Sequence, residues 1–141
     1  SAAGLGEEAR SAIEVADEII IVTNPELSAV TDALKTIKLT KEKNKPVKGA
    51  IITRYRGNHY DMSISNIREM LEIPIIGIIP EDEAVRKSQV IKNAVIHTHP
   101  KSLAAKSYIN TSRRFLGEDI DIEYPRHLGF FGRLLKSVGL R

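Results

Sequence analysis

Apolar residues in this chain come either in short unbroken runs or at helical intervals, and the alternation of the two patterns lays out its elements. Residues 75–79, Ile-Ile-Gly-Ile-Ile, leave no polar face and predict a strand covered on both sides. Pro80 stops the run, and Asp82 is an N-cap residue for a helix over 83–90. Runs at 18–22 and 47–53 predict two more buried strands. Between the runs the spacing is helical: Ala9, Ile13 and Ala16, then Val30, Ala33, Leu34 and Ile37 within 28–38. A helix starting near Ser63 carries Ile64, Ile67, Met70 and Leu71 on one face. Residues 94–97 read as a short extended piece, and a last helix runs from Ser102 to about Leu116. Strand and helix in alternation predict an α/β fold, a parallel sheet with flanking helices in which the three strands lie adjacent.

Three doubly buried strands need neighbours at their edges, and the chain opens on Ser-Ala-Ala-Gly-Leu with no strand before it. The expectation is the C-terminal part of a larger α/β protein whose remaining strands lie N-terminal to Ser1. In open parallel sheets ligands gather beyond the carboxyl ends of the strands. That rule points to Thr53 after the second run and to Pro80, Glu81 and Asp82 after the third.

Composition narrows the chemistry. Of the 141 residues 42% are hydrophobic and 28% charged, and there is no cysteine, which excludes a disulfide framework, a thiolate zinc site and a cysteine nucleophile. His97 and His99 have no carboxylate or third histidine close by in sequence, so no metal site is expected there. No apolar run approaches the roughly 18 residues of a membrane span.

The net charge of +3 hides an asymmetry near the end. Glu118, Asp119, Asp121 and Glu123 form an acidic linker over 118–124, after a body over 1–117. The tail, 125–141, holds Arg126, Arg133, Lys136 and Arg141 and no acid. On a helical wheel Leu128, Phe130, Phe131, Leu134, Leu135 and Val138 share an arc of about 160°, with Arg133 and Lys136 opposite. Such a helix lies in the headgroup plane of an anionic membrane surface. Its glycines, at about 1 kcal/mol each in a helix, suit a segment that folds on meeting a surface better than a core helix. The body has 17 bases against 14 acids, so nucleic acid is not the expected partner.

The stretches SAAGL at 1–5, TNPE at 23–26, IITRY at 51–55, DMSIS at 61–65, IIPEDEAVR at 78–86 and SRRFLGE at 112–118 resemble, in order and spacing, the C-terminal half of the MinD family. These are septum-site-determining ATPases of the ParA/MinD class of P-loop proteins. The resemblance implies a parent protein that binds ATP and Mg²⁺, dimerises face to face on ATP and attaches to the inner face of the cell membrane. It further implies a cytoplasmic, membrane-peripheral protein that works with division-site regulators of the Min type. The glycine-rich G-x-x-x-x-G-K-[ST] motif of such ATPases is absent from these 141 residues, so the chain alone is expected to be inactive.

By the same resemblance Thr53, Pro80, Glu81 and Asp82 border the nucleotide base, and Arg54 is a candidate nucleotide contact beside them, although Arg54, Arg56 and His59 in the polar loop after Thr53 could equally meet lipid or a partner protein. Gly4 matches the switch glycine, and Asn24 and Glu26 a loop near the dimer face. Thr53 stands where many relatives have an asparagine, and offers one hydroxyl in place of an amide. Related ATPases that position chromosomes, plasmids or flagella share this core, and a non-enzymatic membrane-targeted binding module is the rival reading.

Overall fold

Three parallel strands form the sheet of the computed structural model, which describes residues 6–125 and 137–139. They are β1 (Ile19–Thr23), β2 (Val47–Tyr55) and β3 (Ile75–Pro80), paired in the order β1–β2–β3. The helices are α1 (Glu7–Val15), α2 (Leu27–Glu42), α3 (Ile64–Leu71), α4 (Glu83–Val90), α5 (Val95–Thr98) and α6 (Leu103–Phe115). The predicted fold class and the parallel direction of the three strands are what the structure shows.

One face of the sheet packs against α2 and α3. Val30, Ala33 and Ile37 of α2 and Ile64, Ile67 and Leu71 of α3 meet Ile21, Ala50, Ile52 and Ile78 from the strands. Each valine, leucine or isoleucine among them taken fully out of water contributes about 1.5–3 kcal/mol, which is why the helical spacing of these residues is so regular. Ser63 accepts from the Asn66 N–H at 3.1 Å to start α3, and Glu72, at φ 54°, ends it.

The opposite face of β3 receives α6. Successive strand residues point to opposite sides, so Ile78 enters the α2–α3 core while Gly77 faces Thr111. A Cβ at Gly77 would run into the Thr111 side chain, and this close approach lets Ala104 and Ala105 of α6 become fully buried.

Two expectations are corrected. The run at 18–22 is covered on one side only, because α2 packs over one face of β1 whereas α6, on the opposite face of the sheet, lies over β3: Ile21 and Thr23 are buried, while Ile20 and Val22 are 37% and 62% exposed. Residues 94–97 are not extended either. Val95–Thr98 forms a single helical turn, α5, whose buried Val95 packs with Ala84 and Ala105. The histidines at 97 and 99 therefore sit at the end of a turn, not side by side on a strand.

Candidate functional site

The loops that leave the carboxyl ends of the three strands lie together. The Pro25 carbonyl after β1 accepts from the Met62 N–H at 2.8 Å, and the Tyr55 carbonyl at the end of β2 accepts from the Glu81 N–H at 3.0 Å. These bonds tie residues 24–26, 54–62 and 80–82 into one rim.

Near its end β2 gains a residue over β3. Ile52 pairs with Ile78 but Tyr55 with Pro80, so three steps on one strand match two on the other. The extra residue takes up a bulge, and Arg54 sits in it at φ 55°, a left-handed conformation that costs a non-glycine residue of order 1–3 kcal/mol. The bulge turns the Arg54 side chain out of the sheet and leaves it 60% exposed.

Glu81 gathers three guanidinium groups. Its carboxylate lies 3.8 Å from Arg54, 3.3 Å from Arg56 and 3.4 Å from Arg86, with the glutamate side chain 26% exposed. Beside this cluster Asp61, with its side chain 2% exposed, accepts from the backbone N–H groups of Arg56 at 2.6 Å and Gly57 at 3.0 Å. The buried carboxylate thus fixes the turn that carries Arg56. Tyr55, packed beneath, has its phenol pushed above the ordinary value of 10.0 by burial and then by the Asp61 charge.

A cavity of about 200 Å³ opens between these elements, lined by Thr53, Arg54, Ile79, Pro80, Glu81 and Asp82 and closed by Val85, Arg86, Gln89 and Tyr108. Sites that swallow a whole ligand measure about 300–1,000 Å³, so this one has room for a flat ring system and not for an entire nucleotide. A shallower depression of about 370 Å³ continues past Arg56 and Glu83. The five residues at 53–54 and 80–82 are therefore brought together.

Asp82 has a particular part. One carboxylate oxygen accepts from the Ala84 N–H at 2.9 Å and the other from the Ala104 N–H at 3.1 Å. Those two bonds, the Ala104 one first, hold its pKa below the ordinary 3.8, with a smaller contribution from His99. Both oxygens face backbone donors, so Asp82 shapes the rim and leaves ring contacts to its neighbours.

Asn24 lies in the loop after β1, and its side-chain oxygen is buried without a hydrogen-bond partner among the described residues. Glu26 is exposed and makes no side-chain cap to α2. Gly4 lies outside the described residues, as do Leu128, Phe130, Phe131, Arg133, Leu134, Leu135 and Lys136. Val138 is described and is 67% exposed.

Arg86 and Tyr108 escaped sequence reasoning. Arg86 had a local signal, a base five residues past Glu81 in the helix that Asp82 caps. Tyr108 had none, since it reaches the cavity only because α6 packs against β3. Burial raises its phenol pKa above the ordinary 10.0. Among the described residues no group of three or more histidines and acids comes together to hold a metal ion, and no helix is long and apolar enough to cross a membrane.

The AAA-domain family model matches residues 10–89. An uncharacterized ATP-binding protein of Methanocaldococcus jannaschii is 32% identical over 137 residues, covering 96% of this chain and 52% of the relative. The septum site-determining protein MinD of Escherichia coli is 34% identical over 148 residues, covering 95% of this chain and 54% of that protein. MinD of Aquifex aeolicus, solved by itself and in a MinC:MinD complex, matches with a TM-score of 0.78 at 30% identity over 86% of this chain and 52% of that one. MinD of Pyrococcus horikoshii, solved with Mg-ADP, gives a TM-score of 0.75 at 28% identity over 79% of this chain and 46% of that one. The chain spans about half the length of the curated relatives it matches. By its matched sequence, its parallel sheet and the shared architecture, the chain belongs to the AAA-domain family and, within it, to the MinD-like proteins.

Proposed function

We propose that the whole protein carrying this chain is a MinD-type ATPase, and that this chain supplies the wall against which the purine base rests. The observation that carries the reading is the small ring-sized cavity at the carboxyl ends of β2 and β3, in a chain related to an ATP-binding protein and to a MinD solved with Mg-ADP. The Thr53 hydroxyl and the backbone of residues 80–82 face the base, Ile79 and Val85 supply apolar contact, and Arg54 covers the open side. In this reading Mg²⁺ and the phosphates are held mainly by the rest of the protein, which would carry the glycine-rich phosphate-binding motif.

In this reading ATP drives face-to-face dimerisation through a surface that includes Gly4, Asn24 and Glu26. The orphaned Asn24 oxygen would gain its partner there. Two tails on one dimer turn the second membrane contact into an intramolecular event, which raises avidity by about 10² or more. The protein thereby cycles between the cytoplasm and the inner membrane surface, working with division-site regulators, as the MinC:MinD complex of the Aquifex relative suggests, and positions the division site.

Titrating a fluorescent ADP analogue into the whole protein, with ATP hydrolysis followed in parallel, tests this. Binding and hydrolysis are expected in the parent, with binding weakened in Arg54→Ala. A folded parent that neither binds nor hydrolyses ATP overturns the reading.

A further inference from the structure

After α6, residues 118–125 cross the molecule to the loop that follows β2. Arg114 secures the start of this strap: its Nε donates to the Ile120 carbonyl at 2.6 Å, Nη2 to that of Asp121 at 2.9 Å, and Nη1 to that of Ile76 in β3 at 3.2 Å. Through Arg114 the segment is fastened to the sheet.

At the far end Tyr124 meets Tyr55 edge to face, with ring centroids 5.8 Å apart and planes at 83°. Pro125 then closes on Gly57. Glycine is required there twice over, because φ is 70° and a Cβ would stand 2.7 Å from both the Cβ and the carbonyl oxygen of Pro125.

Tyr55 is 1% exposed and is held on two sides: its ring takes the strap, while its carbonyl takes the Glu81 N–H at 3.0 Å. Arg54 and Arg56, which flank it, both reach Glu81. The seat of the strap and the rim of the candidate pocket are therefore the same four-residue piece of backbone, 54–57. The strap also leads directly into the amphipathic tail.

We propose that the strap is a positioning element for the pocket. Docking of Tyr124 and Pro125 holds residues 54–57 in the bulged form that presents Arg54 and Arg56 to Glu81, and occupancy of the pocket in turn tightens the strap at the root of the tail. The nucleotide arm of this inference rests on the purine reading above. Reciprocity follows from linkage: whatever the strap adds to ligand affinity, the ligand adds to strap docking.

Hydrogen exchange of residues 54–61 and 118–125 in the whole protein, with and without ADP, tests it together with ADP titration. In Tyr124→Ala, exchange at 54–61 rises without nucleotide and ADP affinity falls by about fivefold or more. In the parent, ADP slows exchange at 118–125. If Tyr124→Ala frees 118–125 but leaves exchange at 54–61 and ADP affinity as in the parent, the proposal is overturned. Should that variant fail to fold, Pro125→Gly at an exposed position makes the same comparison. An Arg54→Ala variant that binds ADP like the parent defeats the purine reading instead, and the nucleotide-free exchange still decides the coupling.

Discussion

Asp82 accepts a hydrogen bond from the backbone N–H of Ala104 at 3.1 Å, joining residues 22 apart in sequence. Its other oxygen takes the Ala84 N–H at 2.9 Å, so one carboxylate caps α4 and also accepts from a first-turn N–H of α6, the helix that Ser102 caps. A capping side chain replaced by alanine costs typically about 1 kcal/mol. Asp82→Ala should therefore destabilise the protein by about 2 kcal/mol in denaturant unfolding. Asp82→Asn, which keeps one acceptor, should lose about half of that. A loss no larger than for one ordinary cap in Asp82→Ala would show that the Ala104 bond contributes nothing.

The same bonds set a pH dependence. The pKa of Asp82 is lowered in the folded protein, so its contribution is fully present above the ordinary value of 3.8 and is lost as pH falls through the lower folded value. Melting temperatures from neutral pH down into this acid range should fall more steeply in the parent than in Asp82→Asn, whose neutral cap does not titrate. Parallel curves would assign acid sensitivity to other carboxylates.

Arg54 trades stability for position. Its φ of 55° is one glycine adopts without penalty, so Arg54→Gly should leave stability unchanged or raise it by up to about 1 kcal/mol. Nucleotide affinity should fall in the same variant, because the guanidinium beside Glu81 is gone. A variant that melts lower while binding nucleotide as before would place the residue among the structural ones.

Gly77 has no spare space. Gly77→Ala drives a methyl group into Thr111 and must push α6 away from β3, at a cost of about 1–3 kcal/mol. Tyr108 moves with α6, so nucleotide affinity should weaken beyond the loss in stability. Chemical denaturation and ADP titration of the folded variant separate the two effects.

The tail predicts a lipid phenotype separate from catalysis. Replacing Phe131 and Leu135 by glutamate removes two apolar side chains worth roughly 1.5–3 kcal/mol each on burial and adds charges that anionic headgroups repel. Sedimentation of the ATP-bound whole protein with anionic vesicles should be abolished, with lipid-free ATP hydrolysis retained. Sedimentation equal to the parent's would show that the tail does not carry the membrane contact.

The elements of this fold were legible in the sequence because their causes are local. Residues 75–79 cannot turn a polar face to water, Pro80 cannot continue a ladder, and Asp82, Ser63 and Ser102 each cap the helix that follows them. The rule that ligands gather at strand ends then placed Thr53 and residues 80–82 at one rim. Tertiary structure alone decided the rest. The run at 18–22 reads as doubly buried, yet which face of a strand is covered depends on neighbours that lie outside its own sequence. The second bond of Asp82, to Ala104, the approach of Tyr108 to the cavity and the seating of Tyr124 and Pro125 on Tyr55 and Gly57 join residues far apart along the chain. Hydrophobic period and capping chemistry act over a few residues, whereas those contacts exist only once the sheet has brought α6 and the strap to the carboxyl ends of β2 and β3.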